Sequence, residues 1–184
     1  MTSIHPMIRV IALALACALP ANAQTYGPTL ASDLNGDGAP EQFRLTDFQN
    51  DGIVDLEIIS SNGNVTIAKD IAWRGGIGQE PTLALAPNGS LLVISMNESI
   101  GRNRWRQTLT IAYRKNAYRV AGFTYEWYDT LDPEDYGSCD LNLLSGSGNL
   151  QIADRPLKRV RTNQRAISVA QWKDDHPIPK VCGF

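Results

Sequence analysis

Three pairs of short β-branched and aromatic runs, each pair split by a turn dipeptide, constrain this chain more than any other feature. Runs 54–60 and 65–73 flank Asn62-Gly63, runs 82–86 and 91–96 flank Asn88-Gly89, and runs 105–114 and 118–128 flank Lys115-Asn116. Asn-Gly readily takes the positive φ that tight hairpin turns demand, so this spacing predicts three antiparallel hairpins in series. A further strand is expected over 139–144, followed by a Gly-rich turn at 145–149, and a last one over 166–171. No long apolar segment repeats every 3.6 residues, and no linker or low-complexity tract interrupts the pattern. The expected fold is therefore all-β: one domain, an antiparallel meander of hairpins forming an open sheet or a sandwich.

Composition narrows the setting. Of 184 residues, 20 % are charged and 43 % hydrophobic, an ordinary folded balance, and the formal charge of -2 supplies no basic field for nucleic acid. Residues 1–23 read as a secretory signal, since Arg9 precedes an apolar run over 10–19 and Ala21-Asn22-Ala23 has the small-x-small form of a cleavage site. That run is about half the roughly 20 residues a transmembrane helix needs, so no membrane-spanning segment is expected. A lipid anchor at Cys17 is the minor alternative, because Ala stands three residues before it where a branched apolar residue is usual. Cleavage places residues 24–184 in the periplasm or outside the cell with two cysteines, Cys139 and Cys182. An even count in an oxidising compartment predicts a disulfide that ties down the Pro-containing tail, residues 172–184. A redox role lacks any Cys-x-x-Cys spacing.

The most informative segment is Asp33-Leu34-Asn35-Gly36-Asp37-Gly38-Ala39-Pro40-Glu41. Side-chain oxygens fall at relative positions 1, 3, 5 and 9, and Gly38 stands at position 6, which is calcium-loop spacing. A loop wound around a hard cation points alternate residues inward. Gly38 takes the sharp bend, and Ala39 turns its carbonyl to the ion. Arg44 at position 12 excludes an EF-hand, which needs a bidentate Glu there. Fourteen residues on, Asp47, Gln49, Asp51 and Asp55 repeat the oxygen positions, Gly52 the bend and Ile53 the carbonyl position. Gln49 is a longer, neutral ligand, which points to a weaker or water-mediated second site. The competing reading of both loops is a pair of metal-free Asx-turns.

The segment over 31–59, with its two Asp-rich loops around a short apolar strand at 43–45, resembles the calcium loops of FG-GAP and VCBS-type repeats. The resemblance implies Ca2+ held by Asp33, Asn35, Asp37 and Glu41, and less securely by Asp47, Gln49, Asp51 and Asp55. A period of 14 residues is too short for a propeller blade, and nothing similar follows Asp55, so a full propeller is not expected.

Alternation in the third hairpin sets Arg102, Arg104 and Arg106 on one side of a strand and Trp105, Leu109, Ile111 and Tyr113 on the other. On the return strand Phe123, Tyr125 and Trp127 share one face, with Tyr118, Val120 and Tyr128 assigned to the opposite one. An aromatic group beside the arginines would suit a sugar, an anionic polymer or a secreted protein, with Arg102, Arg104, Arg106, Trp105 and Trp127 as the binding set. The plain alternative is a core face backed by a solvated charged face, and the basic run 155–165 reads as surface coating.

Catalysis has little support in the sequence. His176 is the one histidine after residue 23, and no Gly-x-Ser-x-Gly elbow occurs. The acidic stretch holding Glu126, Asp129, Asp132, Glu134 and Asp135 leaves glycoside hydrolysis by paired carboxylates as the enzymatic alternative. The expectation is an exported, calcium-binding, non-catalytic binding protein. An envelope-associated inhibitor or immunity-type partner is the second reading and a carbohydrate-active hydrolase the third.

Overall fold

A computed structural model describes residues 24–49 and 51–183; the expected signal segment, residues 1–23, lies outside them. The described chain is almost entirely antiparallel β-structure. Strands β1 (Gln24–Ser32), β2 (Glu41–Asp47), β3 (Ile53–Ile59) and β4 (Val65–Trp73) form a four-stranded sheet in chain order. The second sheet runs from β5 (Thr82–Leu85) and β6 (Leu91–Asn97) through β7 (Asn103–Arg114), β8 (Ala117–Asp129) and β9 (Tyr136–Asn142) to β10 (Ser147–Ile152) and β11 (Lys158–Arg161). A two-residue strand β12 (Ile167–Ser168) pairs with β8 off this path. Neither sheet closes into a barrel.

The three expected hairpins form, each for the reason its turn chemistry suggests. Gly63 and Gly89 both adopt positive φ (82° and 81°) in matching five-residue connections. In the first, the Gly63 amide bonds the Ser60 carbonyl; in the second, the Gly89 amide bonds the Ala86 carbonyl. Lys115 and Asn116 both sit in the left-handed region (φ 52° and 57°), the two-residue turn whose twist matches that of its flanking strands.

The sheets share one core. Phe43, Leu45, Leu56 and Ile58 from the first meet Leu91, Val93, Leu109, Ile111 and Phe123 from the second, all at 1 % exposure or less. Each such side chain contributes about 1.5–3 kcal/mol by leaving water. A bond from the Ser32 hydroxyl to the Gly89 carbonyl (3.3 Å) also ties β1 to the β5–β6 turn.

Four boundaries depart from the sequence reading. β1 carries Gly27 and Pro28 and gave no strand signal, yet it pairs with β2 across a register break between Tyr26 and Leu30 that accommodates them. The expected turn at 145–149 is cut short, because Ser147, Gly148 and Asn149 already belong to β10. Gly148 is there for space, since a Cβ would lie 2.1 Å from the Asp140 carbonyl oxygen. The basic run contains β11, whose Lys158, Arg159 and Arg161 blunt a sheet edge against further pairing. The expected strand over 166–171 shrinks to β12 and then a 3-10 turn at Val169–Gln171, where Ser168 and Gln171 form a reciprocal cap.

One register detail reverses an expected face. Thr110 pairs with Gly122 and Ile111 with Val120, so Ala121 is an extra residue in β8. This bulge turns Val120 (0 % exposed) and Tyr118 (7 %) toward the core beside Phe123, not onto the opposite face.

The expected disulfide is present: Cys139 on β9 is bonded to Cys182, with Cα atoms 5.5 Å apart. It fastens a tail whose Trp172 is 1 % exposed and packs 6.0 Å from the Phe123 ring. Among the described residues, no helix is long and apolar enough to cross a membrane.

Candidate metal centre and the flanking faces

The first Asp-rich loop, residues 33–41, joins β1 to β2 and is wound on its own carboxylates. Asp33 accepts the amides of Gly36 (2.8 Å) and Asp37 (3.1 Å) on one oxygen and that of Gly38 (2.9 Å) on the other. Gly36 and Gly38 take φ of 78° and 89° with no atom near their absent Cβ, so conformation alone requires glycine there. Asn35 accepts the Asp37 amide (2.7 Å) and donates to the Asp37 carboxylate (3.0 Å), which also accepts the Ala39 amide (2.8 Å). The Ala39 amide first, then Asn35, holds the Asp37 carboxyl below its usual range, so this exposed side chain stays an anion under mildly acidic conditions.

Glu41, the first residue of β2, behaves differently. It is 0 % exposed. Its Oε2 accepts the amides of Leu34 (2.7 Å) and Asn35 (3.4 Å), whereas its buried Oε1 has no hydrogen-bond partner. A carboxylate oxygen hidden from water without a donor is costly unless a cation or proton meets it. The donor set of Asp33, Asn35, Asp37, Glu41 and the Ala39 carbonyl is all oxygen, which suits a hard cation. Among the described residues, no three His, Cys, Asp or Glu side chains converge as a ready-made cage, so a cation here would have to draw the loop's oxygens together, with Asn35 and the Ala39 carbonyl as the non-carboxylate donors.

The second loop turns its buried carboxylates to partners outside itself. Asp47, 5 % exposed, pairs with Arg74 at 3.2 Å and accepts the Gln49 amide at 3.1 Å. Asp51 accepts the Ile53 amide (3.1 Å), and Gly52 makes the expected bend at φ 90°. Asp55, 6 % exposed, turns toward the irregular stretch of β4 and accepts the Asp70 amide at 2.8 Å, with Asp70 itself at φ 55°. Burial, with the nearby Asp70 charge, pushes the Asp55 carboxyl above its ordinary value against the pull of that amide bond.

A cavity of about 480 Å3 joins Gln49, Asp51 and Ile53 to Asp70, Lys173, Asp174 and Asp175. Lys173 bridges Asp70 at 2.7 Å, and Asp174 accepts the Trp73 amide at 2.8 Å. The tail residues Lys173, Asp174 and Asp175 come from about a hundred positions away, so the spacing within the loop gives no sign of them.

The expected arginine and aromatic set is divided between two faces. Trp105 lies opposite Trp127, and both pack inward in a row of rings: Trp73 to Trp105 at 5.5 Å, Trp105 to Tyr125 at 6.1 Å, Tyr125 to Trp127 at 6.4 Å. Burial pushes the Tyr125 phenol up to about 12. Arg104 and Arg106 point outward opposite Tyr128 and Glu126, and Arg102 is paired with Asp129 at 2.5 Å. Strand alternation therefore leaves cationic and aromatic groups on opposite sides of β7, as the plain core-and-solvent reading has it.

The acidic stretch serves the β8–β9 turn. Burial alone would raise Asp129, but the Leu131 amide and Arg102 outweigh it and hold the carboxyl below its usual range. Asp132 accepts the Glu134 amide (3.1 Å) and Asp135 the Trp127 indole N–H (3.3 Å). His176 stacks 4.3 Å from the Trp172 ring, and burial lowers its pKa. Comparison with protein-family models, curated proteins and solved structures finds no match to this chain.

Proposed function

We propose that this chain is an exported β-domain, stabilised by Ca2+ in its first Asp-rich loop, that acts by binding and not by catalysis in the periplasm or outside the cell. The carrying observation is Glu41: a fully buried carboxylate with Oε2 on two loop amides and Oε1 without a hydrogen bond of normal length, the Tyr118 phenol being a nearby donor that leaves it incompletely satisfied. A cation in the loop would satisfy that oxygen and use Asp37, already held as an anion. The Cys139–Cys182 bond supports an oxidising compartment. The β8–β9 carboxylates are engaged in turn and ion-pair contacts, which argues against their use as an acid and base pair. The second loop is the weaker candidate, since Arg74 already neutralises Asp47.

The test is a thermal melt of the oxidised protein in chelator, then in millimolar Ca2+ or Mg2+. A ligand that binds the native state alone raises the midpoint by mass action, and flexible oxygen loops favour Ca2+ over the stricter octahedral Mg2+. A Ca2+-selective rise is expected, and equal or absent shifts reject the proposal.

A further inference from the structure

A second cavity, of about 400 Å3, adjoins the first loop. Asn35 and Asp37 form one wall, Asn64 enters from the β3–β4 turn, and Tyr113, Asn116 and Tyr118 come from the β7–β8 hairpin. The tyrosine rings pack against each other at 4.9 Å, and the Tyr118 hydroxyl lies 3.3 Å from the Ser60 hydroxyl. The Tyr118 phenol also lies close to the side chains of Asn35 and Glu41 beneath the cavity, and after burial the Glu41 charge is among the influences that raise it. Among the described residues, the side chains of Asn64 and Asn116 and the Tyr113 hydroxyl have no protein hydrogen-bond partner.

The lining has a definite chemistry. Side-chain amides and phenols both donate and accept, as sugar hydroxyls do, and the half-buried Tyr113 ring, backed by the buried Tyr118, gives an apolar surface that a pyranose C–H face covers. The lining contains no cationic side chain, while Asp37 and the nearby Glu41 are acidic, which disfavours an anionic ligand. The loop's ion is also incompletely served. Ca2+ takes about 6–8 oxygens, the loop sequence supplies at most three carboxylates, one amide oxygen and one carbonyl, which do not converge as a cage, and Arg44 stands where a bidentate Glu would add more.

We propose that this cavity binds a neutral saccharide, two of whose adjacent hydroxyls complete the coordination of the loop Ca2+ while others bond Asn64 and Asn116. The proposal rests on the calcium reading of the first loop. Asn35 and Asp37 are shared between ligand set and cavity wall, which makes saccharide binding calcium-dependent. The outward Asn64 and Asn116 amides act on the sugar alone, and losing both lowers affinity by at least about tenfold.

The experiment probes an array of neutral mono- and oligosaccharides with the oxidised protein, in millimolar Ca2+ and in chelator. Calorimetric titration with any sugar retained follows, alongside Ca2+ uptake of the same samples. The comparison variant is Asn64→Ala with Asn116→Gly, the glycine keeping the left-handed turn at Asn116 relaxed. Expected are binding in Ca2+, its loss in chelator, and at least a tenfold weakening in the variant with Ca2+ uptake unchanged. Ca2+ uptake without saccharide binding, or equal binding by the variant, overturns this proposal alone. Absence of Ca2+ uptake overturns the cation reading and the bridged site with it.

Discussion

Replacing Glu41 with glutamine separates the two explanations of the first loop, because they predict opposite orders of stability. Glu41 is 0 % exposed and holds the Leu34 amide at 2.7 Å, and glutamine keeps that acceptor while removing the charge. A buried carboxylate pays a desolvation penalty of several kcal/mol that two amide bonds repay only in part, so in chelator Glu41→Gln melts no lower than the natural protein. In Ca2+ the order reverses. With dissociation constants of about 10⁻⁴ to 10⁻³ M, usual for extracellular modules, about 10 mM Ca2+ adds roughly 1.4–2.7 kcal/mol, or roughly 3–11 °C for a domain of this size. The variant loses most of that gain because the orphaned Oε1 is replaced by an N–H that repels a cation. Calorimetric or circular-dichroism melts of both proteins under both conditions measure the crossing. A variant that gains the full Ca2+ shift refutes the reasoning, as does one that melts well below the natural protein in chelator, since either would make Glu41 a loop cap and nothing more.

The Cys139–Cys182 bond closes a sequence separation of 43, worth about 4 kcal/mol on the chain-entropy model, so the paired Cys→Ser variant should melt roughly 8–16 °C lower. A drop under about 2 °C would show that Trp172 packing alone holds the tail. Gly148→Ala drives a Cβ to 2.1 Å from a backbone oxygen and should cost about 3 kcal/mol or more, whereas Gly76→Ala meets nothing and should stay within about 0.5 kcal/mol; urea unfolding of the two, if equal, contradicts this packing. Burial raises Asp174 above 3.8, so its stabilising share is full below pH 3.8 and is lost as pH rises through its folded value. Asp174→Asn keeps the acceptor for the Trp73 amide and should flatten that part of the pH profile of stability; an unchanged profile would place the group elsewhere.

Much of the fold was legible because its signals are local. The three hairpins follow from Asn62-Gly63, Asn88-Gly89 and Lys115-Asn116: Gly63, Gly89 and Asn116 tolerate positive φ wherever they sit, and the paired strands hold Lys115 there beside Asn116. β1, β10 and β11 were not legible: their Gly, Pro and basic residues read as loop, and they become strands only because β2 and β9 supply ladder partners. The bulge at Ala121 could not be read from alternation, which has no means of registering one inserted residue, and it moved Tyr118 from the solvent side to the core and the saccharide cavity. In the candidate site, the positions of Asp33, Asn35, Asp37 and Glu41 were visible in their spacing. The burial of Glu41, and the arrival of Asn64 and Asn116 from hairpin turns far along the chain, depend on how the two sheets meet.

The most direct test of a cation in the first loop is a residue-resolved titration: amide 1H–15N spectra of the oxidised, chelator-stripped protein followed as Ca2+ is raised into the millimolar range, with Mg2+ as control. The account predicts saturable Ca2+-selective shifts centred on residues 33–41, largest at the Gly36 and Gly38 amides that now bond Asp33, and their loss in Asp37→Ala. Spectra in which those amides stay put while Ca2+ rises, or move equally with Mg2+ and in Asp37→Ala, would contradict it and leave the loop a set of Asx-turns.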